Sequence, residues 1–141
     1  MLIAVLAVVG LSVSTYFTAI AYRWVQPDAR WIPTFCRMDE KTCASVVFTP
    51  QARVFGLPNS VLGQVYYLML LVGVGSGWIE GAVLYALLAA STLTVGLALY
   101  LSYSLLFVLR VPCRLCFTSH SLNIALCALL WLRIWSLDQV V

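Results

Sequence analysis

The chain has 141 residues, 63% of them hydrophobic and only 9% charged, with a mean hydropathy of +1.00. So apolar a composition excludes an ordinary soluble domain and predicts one integral membrane domain over residues 1–141, surrounded by membrane lipid. A formal net charge of +3 is too small and too scattered to suggest nucleic acid.

Four spans contain no Asp, Glu, Lys or Arg: 1–22, 54–79, 81–109 and 115–132. A helix crosses the hydrocarbon layer in about 20 residues, so all four qualify. The expected fold is all-α: a four-helix transmembrane bundle with helices at about 1–22, 57–78, 81–109 and 113–135. The first span lacks a basic leading region and a clear small-residue cleavage site, so it is expected to be retained. Its Ser12, Ser14, Thr15 and Thr18 are expected to bond back to their own helix. Trp24, Trp31, Trp78, Trp131 and Trp135 fall near span ends, where aromatic belts sit.

From Arg23 to Gly56 the character changes, with five basic and three acidic residues and Pro27, Pro33 and Pro50. Trp31, Ile32, Phe35, Val46, Val47, Phe48 and Phe55 make this loop too apolar for a solvated tether. It is predicted to fold over the helix ends as a lid, capping the active-site end. Asp39 is a good N-cap, and Glu40 to Phe48 reads as a short helix with Cys43 in its second turn. Cys36 lies on the approach. The spacing of Cys36 and Cys43 permits a disulfide, and equally two unpaired thiols.

The second helix opens at Leu57-Pro58-Asn59-Ser60, with the proline placed in the first turn. Asn59, Gly63, Tyr66 and Tyr67 fall at offsets 0, 4, 7 and 8 and share one face. Gln64 is a further polar group at membrane depth, where such residues usually face the bundle interior or a cavity. A tight turn over 73–81 joins helices two and three. Ser91, Thr92, Gly96 and Ser102 suit helix three to close packing, and no chemistry is assigned to it.

Residues 111–123 read VPCRLCFTSHSLN. Pro112 places Cys113 at or near a helix start. Cys113, Cys116, His120 and Asn123, at offsets 0, 3, 7 and 10, then share one stripe. The helix N-terminus, Arg110 and Arg114 all favour thiolate there. Taken alone, C-x-x-C is half a zinc site, a redox dithiol, or two inert cysteines. Zinc needs three or four ligands, and His120 lies more than a turn deeper, so no metal is expected. Cys127 is expected to pack as a small hydrophobe. Four crossings put the 23–56 loop and residues 110–116 on one side, so both cysteine pairs meet at one face.

Nearly the whole chain resembles the vitamin K epoxide reductase family in a prokaryotic form, similar in logic to bacterial quinone-linked disulfide oxidases of the DsbB type. The resemblance rests on Cys36 and Cys43 in the first loop, NSVLG (59–63) opening helix two, and the C-x-x-C opening helix four with Asn123 beyond it. It implies four catalytic cysteines. Cys36 would meet the redox partner, Cys43 would attack Cys113, and Cys116 would face a quinone of the ubiquinone or menaquinone type. Asn59 would bond a quinone oxygen, within a binding set completed by Ser60, Gly63, Tyr67, His120 and Asn123. Animal members usually carry tyrosine where this chain has His120; imidazole still donates a hydrogen bond and also takes a proton.

The implied function is disulfide formation by oxidising a thioredoxin-like partner and reducing a membrane quinone. No thioredoxin-like domain is fused here, so that partner is expected to be a separate protein. Reduction of vitamin K epoxide itself is the alternative within the family, and a metal-binding membrane protein the alternative outside it. Orientation in a plasma membrane is the last expectation. Relatives act toward an oxidising compartment, which favours an extracytoplasmic active face. However, the loop side carries Arg23, Arg30, Arg37, Lys41, Arg53, Arg110 and Arg114, against Arg133 and the N-terminal amine opposite. Lys and Arg in short loops mark the cytoplasmic side, and that count favours a cytoplasmic active face.

Overall fold

Four long α-helices carry the described part of the chain: α1 (Leu2–Ala21), α2 (Asn59–Ser76), α3 (Gly81–Tyr103) and α4 (Arg114–Asp138). The computed structural model describes residues 1–26, 46–54, 56–77, 80–110 and 113–138. Cys36, Cys43 and the helix expected over 40–48 therefore fall largely outside the described residues. Three helical segments, Leu2–Ala21, Gly81–Val108 and Arg114–Ser136, are long and apolar enough to cross a membrane. The remaining helix, α2, carries the polar first turns Asn59, Ser60 and Gln64.

The helices alternate in direction. A methyl group placed on Gly10 would meet Tyr67, and one on Gly63 would meet Ser14 at 3.6 Å. Nearer the other end, Thr18 Oγ1 donates to Ser60 Oγ at 2.9 Å. Positions rising along α1 thus face positions falling along α2, so the pair is antiparallel. Two apolar clusters hold the bundle. One joins all four helices through Ala7, Leu70, Leu84 and Leu126. The other gathers Ile20, Val47, Leu105, Cys113 and Cys116 where α1 and α3 end and α4 begins.

Several boundaries differ from the sequence reading. Leu57 and Pro58 are extended and pair antiparallel with Val54 and Arg53, so α2 begins two residues later than expected. Pro58 lacks an N–H and disfavours helical geometry in the residue before it. At φ −56° and ψ 133° it therefore stands at the helix threshold rather than in its first turn. α2 runs on through Gly73 to Ser76 and stops at Gly77, left-handed at φ 72°, so the connection to α3 is shorter than 73–81. α3 gives way to a π-helical turn over Ser104–Val108, closed by Leu109 N–H to Ser104 O at 2.8 Å. π-turns are rare and cluster at functional sites. Arg23 and Arg110 turn the chain in the left-handed region just past α1 and the π-turn.

Ser12, Ser14 and Thr15 bond back to their own helix as expected. Thr18 does not: its hydroxyl crosses to Ser60, because α2 begins within its reach. Gln64, of a kind that usually faces the bundle interior or a cavity, is half-buried at the edge of the α1–α2 seam, where its Nε2 donates to Thr15 Oγ1 at 3.1 Å. A lipid-facing amide needs an acceptor, and the neighbouring helix supplies one. Cys127 packs against the four-helix cluster as a free thiol.

Candidate functional site

The site is built around the start of α4. Cys113 is the residue before its first turn, with its carbonyl accepting Phe117 N–H at 3.2 Å. Its sulfur accepts the Cys116 N–H at 3.3 Å, the bond an N-cap side chain makes to the third helical residue. Cys113 and Cys116 form a disulfide with their Cα atoms 5.3 Å apart. Both are walled off: Cys113 is 0% exposed and Cys116 8%. Ile20 of α1, Val47 and Leu105 of the π-turn pack around them.

A cavity of about 480 Å³ opens beside this pair. Cys116, Ser119, His120 and Asn123 form its α4 wall, and Asn59, Ser60, Gly63, Tyr66 and Tyr67 its α2 wall. The sequence-predicted α2 face is thus intact. The stripe predicted on α4 is not: Cys116, His120 and Asn123 line the cavity, whereas Cys113 does not. The reason is local, since an N-cap residue leaves helical geometry and its side chain turns back toward the first-turn amides. The two cysteines therefore share one apolar cluster, and only Cys116 also lines the cavity.

Most of the lining is apolar, so its few polar groups stand out. Among the described residues, His120 Nε2 is buried without a hydrogen-bond partner. Tyr67 is committed internally, its hydroxyl donating to Asn123 Oδ1 at 2.7 Å. Tyr66 likewise donates to the buried Ser91 at 2.8 Å and ties α2 to α3. Val46, Val47, Thr49, Gln51, Ala52 and Val54 line the cavity from the first loop.

The sequence reading passed over α3, which supplies the third wall through Leu93, Leu97 and Leu101, continued by Leu105 of the π-turn. Their four-residue repeat forms one ridge along a helix, a pattern that ordinary helix packing shares. Leu93 is 76% exposed while lining the cavity, so the cavity reaches the bundle surface on that side. Ser119 was missed as well.

The residues present suit a quinone. The volume lies within the roughly 300–1,000 Å³ of small-molecule sites, the walls match an aromatic ring, and the unpartnered imidazole nitrogen meets a ring oxygen's need. A shielded disulfide with one of its cysteines on such a cavity, in a bundle with membrane-length apolar helices, points to a membrane oxidoreductase that handles disulfides. The Vitamin K epoxide reductase family profile matches residues 1–131, and the chain belongs to that family. Its members are membrane oxidoreductases that work with quinones and thioredoxin-like proteins.

Proposed function

We propose that this chain makes disulfides: it oxidises a separate thioredoxin-like protein and delivers the electrons to a membrane quinone of the ubiquinone or menaquinone type. One observation carries the reading. Of the bonded pair, only Cys116 lines the cavity that also holds Asn59 and the unpartnered His120 nitrogen. Both cysteines pack in the cluster containing Val47, four residues beyond Cys43, and Cys113 is the one set away from the cavity.

The relay conserves electrons at each step. A partner dithiol reduces the Cys36–Cys43 disulfide and becomes a disulfide itself. The Cys43 thiolate then attacks Cys113 Sγ, the Cys113–Cys116 bond breaks, and Cys116 leaves as thiolate. Cys36 attacks Cys43 in this mixed disulfide and releases Cys113, so two electrons now rest on the α4 pair. A bound quinone supplies a two-electron, two-proton acceptor. Asn59 and His120 orient it by hydrogen bonds to its oxygens, and both can offset charge developing there. Residues 46–54 act with the rest of the 23–56 loop as the lid that keeps water from the pair.

The active face is cytoplasmic in this reading, on the strength of seven basic residues on the loop side against one opposite. Thiol titration of the reduced protein, before and after adding quinone, tests the function. Loss of four thiols that depends on quinone is expected; an unchanged count overturns it.

A further inference from the structure

We propose that Tyr67 is a positioning residue, which sets the Asn123 amide so that its NH₂ group serves as a hydrogen-bond donor to a quinone oxygen in the cavity. The inference rests on the quinone reading above and concerns how the same cavity recognises its ligand. An Asn side chain offers one accepting oxygen and two N–H donors, and only its partners fix which way it faces. Here Tyr67 and Ser119 set it together: the Ser119 side chain is also hydrogen-bonded to the Tyr67 hydroxyl, and a serine O–H given to the phenol oxygen leaves the phenol's own proton for Asn123. The phenol's single proton goes to Asn123 Oδ1 at 2.7 Å, which commits the oxygen and leaves the nitrogen to the other side. No described residue accepts from that nitrogen, and Asn123 lines the cavity one helical turn below His120.

Tyr67 is itself held in place. It is 1% exposed, its ring packs on that of Tyr66 with centroids 5.4 Å apart, and the opposing α1 position is Gly10. A methyl at Gly10 would meet Tyr67 Cε1 and Cζ, at the hydroxyl end of the ring. The absent Cβ is thus what lets the phenol reach α4. Gly10, Tyr67 and Asn123 form one line from α1 through α2 to α4. Along it, helix packing is converted into the orientation of a single amide. His120 Nε2 and Asn123 Nδ2 then present two unpartnered nitrogens on one wall, a spacing of about one helical turn of rise.

The test uses steady-state reduction of two probes, menadione and a decyl-tailed benzoquinone, by purified full-length protein with dithiothreitol as reductant. Tyr67→Phe keeps the ring and removes only the hydroxyl. It should raise KM for quinone about fivefold or more, as expected for one misdirected buried hydrogen bond, with a smaller change in kcat. Gly10→Ala changes neither member of the pair and should give the same split. The decisive readout is coupling: in an Asn123→Leu background, Tyr67→Phe should add nothing further to KM. Independent, additive effects would mean that Tyr67 merely supports packing and would overturn the inference, as would a wild-type KM in Tyr67→Phe. If the wild-type protein reduces neither probe, the quinone reading itself fails and this inference with it.

Discussion

The backbone N–H of Cys116 donates to the sulfur of Cys113 at 3.3 Å, so the first cysteine of the pair caps the helix that carries the second. The disulfide and the start of α4 thus share one sulfur atom. Replacing Cys113 by Ser removes the disulfide but leaves a capping oxygen, whereas Ala removes both. An N-cap is worth about 0.5–2 kcal/mol, so Cys113→Ser should melt a few degrees above Cys113→Ala in detergent. Equal melting temperatures would show that the sulfur does not cap.

In the proposed exchange Cys36 opens the Cys43–Cys113 link from the Cys43 side and Cys116 opens it from the Cys113 side. A chain without Cys116 keeps a Cys113 thiolate that attacks the Cys36–Cys43 disulfide and has no thiol to re-form its own pair. Cys116→Ala should therefore accumulate a disulfide between Cys43 and Cys113. Peptide mass spectrometry without reduction detects it, and absence of that crosslink means the order of transfer is wrong.

Asn59 lines the cavity at the first turn of α2, across from the α4 wall. Asn59→Ala should slow quinone reduction roughly 10-fold, the expected penalty when a buried ligand oxygen loses its donor. Exchange between the cysteine pairs, followed by quenched-flow alkylation, should keep its rate. A wild-type quinone rate would remove Asn59 from the binding set.

Orientation is open to a direct labelling experiment. With the active face cytoplasmic, a membrane-impermeant maleimide should reach reduced Cys36 only after cells are permeabilised. Labelling in intact cells would put the 23–56 loop outside.

Much of this architecture is legible in the sequence because it is local. Runs of 18 or more uncharged residues mark the helices, and a 3.6-residue period puts Asn59, Gly63, Tyr66 and Tyr67 on one face, all of which line the cavity. Tertiary choices are less visible. Thr18 had an acceptor available in its own helix, and only the register of α1 against α2 sends its hydroxyl to Ser60. Cys113 left the predicted stripe because its backbone is the last non-helical one before α4. The leucines of α3 carry no polar mark, so nothing in their spacing separates a cavity wall from ordinary packing. The π-turn likewise follows no composition rule, yet it places Leu105 against the disulfide.

The enclosure of Cys113 also bears on how the protein comes to be made. Ile20, Val47 and Leu105, which bury it, all precede α4 in the chain, and the cavity's α1, α2 and α3 walls do too. During synthesis the receptacle is therefore complete in sequence before the sulfurs that fill it leave the ribosome. A chain cut short before residue 113 contains three of the cavity's walls but lacks the fourth, and with it the Cys113–Cys116 pair. Until α4 seats, the apolar residues that shield the disulfide have nothing to cover, and a stalled product differs from a finished one at that spot.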